Sequence, residues 1–121
     1  MYLGIDIGTS AVKVCLADAG LSSVATESQP LTISHPRPGW SEQTPQDWWS
    51  AVRTATRALL AKSPGAADKL RAIGLSGQMH GAVLLDAGGA VLRPAILWND
   101  GRSDAECTAL EETHPELAAI A

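Results

Sequence analysis

The sequence predicts an α/β fold built around a mixed sheet. Three observations lead to it. Short apolar runs joined by tight turns open the chain. A long amphipathic stretch with helix-start chemistry follows, and after it comes a run that is almost wholly apolar. The composition allows such a fold. With 121 residues there is room for one domain, 45% hydrophobic residues can fill a core, and 18% charged residues are too few for a disordered chain.

Tyr2 to Asp6 is the first expected strand and Ala11 to Ala17 the second. In the second, Val12, Val14 and Leu16 share one face, while Lys13 and Cys15 share the other. Gly8, Thr9 and Ser10 form a tight connection between them, so the pair reads as a hairpin. After the turn Asp18-Ala-Gly20, Val24 to Ile33 alternates weakly as a third strand. Pro36, Pro38 and Gly39 then exclude regular structure up to Thr44. A helix starts at Thr44-Pro45, where Thr44 can cap, Pro45 suits the first position and Asp47 complements the helix dipole. Trp48, Val52, Ala55 and Leu59 follow at helical spacing as its buried stripe, and Lys62-Ser-Pro-Gly65 ends it.

The segment "RAIGLSGQMHG" reads as a strand, and Ala72 to Leu75 are apolar enough to be covered on both faces, as in a central parallel strand. "AVLLDAGGAVLRPAILW" reads as two strands around the turn Asp86 to Gly89. The pattern turns helical from Arg102, and Pro115 starts a further helix. A helix between the hairpin strands and the apolar strand should return the latter parallel to the first by a right-handed crossover. That order matches the ribonuclease-H-like (actin-like ATPase) layout.

Charge and composition also exclude partners. A net charge of −4 and no Lys/Arg cluster argue against nucleic acid or an anionic membrane held by a basic surface. No run approaches a membrane span, and nothing ahead of the first strand resembles a signal peptide, so a cytoplasmic location is expected. Cys15 and Cys107 match no zinc-ligand spacing.

Three short stretches could carry chemistry, and spacing leaves each with two readings. Asp6 at a strand end could hold Mg²⁺, directly or through water. The Gly8-Thr9-Ser10 turn offers backbone N–H groups and hydroxyls to a phosphate, and Lys13 adds a point charge. The same residues also suit an ordinary hairpin with a solvated lysine. In "GLSGQMHGAVLLD", Gly74, Gly77 and Gly81 bracket a polar strand end where Gln78 and His80 could meet a ligand, or form only a glycine-rich bend. In "PAILWNDGR", Trp98 could present its face to a sugar with Asn99, Asp100 and Arg102 nearby, or could be a core residue before an Asn-Asp-Gly turn. Trp40, Trp48 and Trp49 are assigned to packing, and His35 and His114 to loops.

"YLGIDIGTSAVKV", "RPGWSEQTPQDWW", "AIGLSGQMHGAVLLD" and "VLRPAILWNDGR", in this order, closely resemble the opening of the FGGY carbohydrate kinases. The likeness runs from Tyr2 to about Arg102. It implies that Asp6 acts at the metal and the transferred phosphoryl group, and that Gly8, Thr9, Ser10 and Lys13 line the phosphate path. Met79-His80 match the positions that touch the sugar. Glycerol kinases carry Arg-Glu there, so Met-His points to D-xylulose, phosphorylated at its 5-hydroxyl. Trp98 matches a tryptophan that lines the polyol pocket in glycerol kinases. ATP and Mg²⁺ are the implied cofactors, and a homo-oligomer is left open.

The same resemblance implies that the catalytic-base aspartate, the second phosphate loop and the adenosine pocket lie beyond Ala121. Residues 1–121 are therefore expected to be the N-terminal part of the first of two kinase domains, inactive alone. Two rivals stand beside this reading: a kinase for another sugar or polyol, such as gluconate or ribulose, and a stand-alone binding module without catalysis.

Overall fold

The computed structural model describes residues 1–116. Strand β1 (Tyr2–Ile7) alternates as a half-buried strand must: Leu3 and Ile5 point into the core, while Gly4 and Asp6 point away. Strand β2 (Ala11–Ala17) pairs with it antiparallel, bringing Asp6 opposite Lys13, and sends Val12, Val14 and Leu16 fully into the core. Strand β3 (Ser23–Pro30) extends the sheet antiparallel on β2. It ends at Pro30 rather than Ile33. The preceding turn is held by Asp18, whose Oδ1 accepts from the amides of Gly20 and Ser22.

Helix α1 (Pro45–Ala61) follows a two-residue strand, β4 (Glu42–Gln43). Pro45 occupies its first turn, but the Thr44 hydroxyl makes no capping bond, contrary to the sequence expectation; the Thr44 carbonyl instead accepts from the Asp47 amide. Val52, Ala55 and Leu59 are buried as expected, joined by Ala51, whereas Trp48 is only half-buried. This stripe packs on the apolar face of the sheet, forming one core with Leu3, Ile5, Val12, Val14 and Leu16.

A short 3-10 turn, Ala67–Lys69, leads into strand β5 (Ala72–Gly77), which pairs parallel with β1. The sheet order is therefore β3-β2-β1-β5, the mixed arrangement expected from a helical crossover. Placing β5 in a covered position proves wrong for the described residues. It is the sheet edge, exposed along its whole length, with Ile73 58% and Leu75 78% accessible.

Two further expectations need correction. The stretch after Pro36 is not wholly irregular, because β4 pairs antiparallel with β6 (Ala95–Ile96). Of the two strands expected around Asp86, the second survives as β6 and the rest shrinks to isolated bridges at Leu85–Val91 and Ala82–Ile96. The Asp86 turn itself forms, its carboxylate accepting from the amides of Gly88 and Ala90. Neighbouring side chains stay exposed, so no buried face fixes longer pairing. Helix α2 (Asp104–Thr113) matches the helical pattern after Arg102. The helix expected from Pro115 falls mainly outside the described residues.

Candidate functional site

The site lies where β1 and β5 end side by side. Asp6 is the last outward-facing residue of β1 before the turn, and the turn closes through the Gly8 amide on the Ala11 carbonyl at 3.1 Å. Beside it, Gly77 ends β5 against the backbone of Ile7. A Cβ there would sit 3.0 Å from the Ile7 carbonyl oxygen, so a side chain would push the two strand ends apart. The Gln78 amide then donates to that same carbonyl at 2.8 Å, and the chain leaves the sheet.

A cleft of about 410 Å³ opens at this junction, lined by Asp6, Gly8, Thr9, Gly77, Gln78, Met79, His80 and Trp98. It brings together the opening turn, the Met79-His80 pair and Trp98 from three separate stretches of sequence. Met79 and Trp98 are 71% and 60% exposed, so both offer apolar surface to the cleft opening. His80 holds a positive φ of 64°, in the left-handed region where a residue with a Cβ is uncommon. Such a conformation at a strand end is held by its surroundings and aims the side chain.

Ser10 and Lys13 do not line the cleft. Ser10 is exposed and spends its carbonyl on the Leu31 amide at 2.9 Å. Lys13 sits across from Asp6 on β2, on the sheet face opposite α1, with its other register partner Ser28. Asp6 is exposed, and among the described residues no cluster of three or more acidic, histidine or cysteine side chains could hold a metal. A single carboxylate suits a magnesium ion that takes its remaining ligands from phosphate oxygens and water, and does not suit an all-protein cage.

The Thr9 hydroxyl, expected as a phosphate donor, already spends its proton. It donates to Gln78 Oε1 at 3.0 Å and accepts from Trp98 Nε1 at 3.1 Å. Gln78 Nε2 in turn donates to Gln43 Oε1 at 3.1 Å. Gln43 is buried and also accepts from Trp48 Nε1 at 2.9 Å, while its Nε2 donates to the Thr9 carbonyl at 2.7 Å. Sequence reasoning missed Gln43, which has no periodic neighbours in its proline-rich surroundings. It also gave Trp48 packing alone.

Asn99, Asp100 and Arg102, considered beside Trp98 as ligand contacts, divide differently. Asp100 accepts from the Ser41 amide and takes two bonds from Arg102, each 2.7 Å. Arg102 also reaches Glu42 at 2.8 Å and stacks on Trp40, its guanidinium carbon 3.7 Å from the ring centre. Arg93 pairs with the same Glu42 oxygen. The guanidinium beside Asp100 holds its carboxyl well below the usual carboxylate range, and Asp100 raises Arg102 in return. This cluster ties β4 to the turn after Trp98, so Asp100 and Arg102 are scaffold.

Comparison with known proteins agrees with the fold. Residues 1–119 match the FGGY family of carbohydrate kinases, N-terminal domain. The chain is 51% identical over 120 residues to the xylulose kinase of Escherichia coli strain K12, covering 99% of this chain and 24% of that protein. It superposes on a "xyloylose kinase" from Brucella ovis with a TM-score of 0.92 at 51% identity, covering 98% of this chain and 25% of the other. A gluconate kinase from Lactobacillus acidophilus gives 0.87 at 27% identity, covering 93% and 22%. The chain thus spans about a quarter of the length of these relatives. Four motifs in order, one cleft that gathers three of them, and a family match along nearly the whole chain lead to one conclusion: it belongs to the FGGY family of carbohydrate kinases.

Proposed function

We propose that this chain is the N-terminal part of the first domain of a kinase that transfers the γ-phosphoryl group of ATP to the 5-hydroxyl of D-xylulose. One observation carries the reading. A single cleft has a carboxylate and a glycine turn on one side, and an apolar wall with an imidazole on the other. Phosphoryl transfer needs little covalent work from the protein and depends on holding both reactants in line. Asp6 takes the metal side, and the backbone amides of Thr9 and Ser10 serve the phosphate path, while the Gly8 amide closes the turn on the Ala11 carbonyl. Mg²⁺ neutralises charge on the transferring group when bound. Lys13 contributes positive potential from the neighbouring strand, not a direct contact. Met79 and Trp98 cover the sugar's C–H surface, and His80 bonds one of its hydroxyls.

The proton acceptor for the sugar hydroxyl and the adenosine pocket belong to sequence beyond this chain. The 121 residues alone should therefore show no sugar-dependent ATP turnover. Xylulose 5-phosphate formed at a robust rate by the purified chain would refute that part of the proposal. Xylulose as substrate draws support from the names of the relatives at 51% identity. The 27% likeness to a gluconate kinase keeps gluconate as the second reading. A panel of xylulose, ribulose, gluconate and glycerol, tested with the full-length protein, separates the two by their kcat/KM values.

A further inference from the structure

The hydrogen bonds behind the cleft run in one direction, and three groups with no choice of role force that direction. The indole N–H groups of Trp48 and Trp98 can only donate, and the Thr9 carbonyl can only accept. Trp48 therefore fixes the oxygen end of Gln43, and the Thr9 carbonyl fixes its nitrogen end. With Gln43 oriented, Gln78 must turn its nitrogen inward to Gln43 and its oxygen outward to Thr9. With its proton spent, the Thr9 hydroxyl can only accept, and Trp98 donates to it. Each link leaves the next one orientation, from a buried amide on β4 to the exposed indole in the cleft.

We propose that Gln43 is a positioning residue that sets the phosphate turn and the sugar wall as one unit. It touches neither ligand in the proposed function. Its nitrogen holds the turn by the Thr9 carbonyl, and its oxygen holds Trp98 through Gln78 and the Thr9 hydroxyl. The Thr9 hydroxyl joins the two halves directly, and Gln43 fixes that joint from behind, its nitrogen on the Thr9 carbonyl and its oxygen on the Gln78 side-chain amide. The kinetic consequence rests on the kinase reading; the physical coupling does not.

The test uses the full-length protein with tryptophan labelled at the indole nitrogen, comparing wild type with Gln43→Leu and Gln43→Glu. The Trp98 and Trp48 indole signals are assigned by their loss in Trp98→Phe and Trp48→Phe. In Gln43→Leu the Trp98 indole proton, which does not touch position 43, should shift and exchange with water roughly tenfold faster, because the Gln78 side-chain amide and with it the Thr9 hydroxyl lose their fixed orientation. Turnover per folded molecule should fall by about tenfold or more, with the Michaelis constants for ATP and sugar both rising. Gln43→Glu keeps the acceptor for Trp48 and Gln78 but cannot donate to the Thr9 carbonyl. It should leave the Trp48 signal in place and still weaken ATP use, and it carries the test if the leucine variant does not fold. A Trp98 signal unmoved in both variants overturns the proposal. So does a lowered melting temperature with kinetics per folded molecule within about twofold of wild type, which marks a purely structural residue. If no sugar on the panel is phosphorylated, the kinase reading fails, and the indole signals still decide the coupling.

Discussion

Asp6 and His80 are the residues on which the proposed chemistry turns, and they should fail differently. Asp6→Ala in the full-length protein should lower kcat by roughly a hundredfold or more, the scale of losing a preorganised group at developing charge, with the sugar constant nearly unchanged. Steady-state kinetics at saturating co-substrate check this; lost sugar binding with normal turnover would give Asp6 another role. His80 needs a careful substitution. Alanine at a φ of 64° adds backbone strain, so its effect would mix conformation with contact. Asparagine tolerates that region and withdraws the imidazole. His80→Asn should cost about 0.5–1.5 kcal/mol of sugar binding, a several-fold rise in the xylulose constant, with little change for ATP. A change confined to the ATP constant would remove His80 from the sugar side. The strand end at Asp6 and the glycines around His80 were legible in the residues as candidates, whereas Met79 and Trp98 were placed by the resemblance in motif order, and the cleft gathers all four. Gln43 was not legible, because nothing in "WSEQTP" shows that a glutamine there will be buried and meet residues 34 and 35 positions away.

Among the elements, β4 and the turn after β6 are bound by charge, and that bond has a pH dependence. Asp100 has a depressed pKa in the folded chain, chiefly through its hydrogen bonds to Arg102. Its stabilisation is present above the unfolded carboxylate value of about 4 and is lost as pH falls from there through the folded value. Thermal unfolding should therefore show a falling midpoint below about pH 4 that is shallower in Asp100→Asn. Arg102→Met should lower the midpoint at neutral pH further, because it strands Asp100 and leaves Glu42 with Arg93 alone. An unchanged midpoint would mean that packing of Trp40 and Leu97 holds this region alone. Elements with strong local chemistry were legible: the hairpin by its alternation, and α1 by Pro45 and its stripe. The segment from Ala82 to Leu97 was not, since only Ala95 and Leu97 in it are buried and its pairing depends on contact with β4. The β5 strand was read correctly in kind and direction and wrongly in environment, because an apolar sequence records what a strand can bury, not what lies beside it in 116 described residues.

Over the whole molecule, one sheet face is covered by α1 and a groove of about 520 Å³ remains between α1 and β5, lined by Leu3, Ile5, Trp49, Val52, Ile73 and Leu75 among others. The 121-residue chain by itself should accordingly bind a hydrophobic dye or self-associate. Sedimentation as a compact monomer that excludes the dye would favour an independent domain. The parallel pairing of β1 with β5 has another consequence, in time rather than space. Tyr2 must wait for Ala72. At about 5–20 residues per second of synthesis, β1 keeps one edge open for several seconds after it emerges, while β2 and β3 have already closed the other. Gln78, Met79 and His80 follow β5 directly, so residues 72–80 deliver the missing strand and most of the far wall of the cleft in one arrival. Asp6 has no facing wall until then, and the cleft still waits for Trp98 after the sheet has closed.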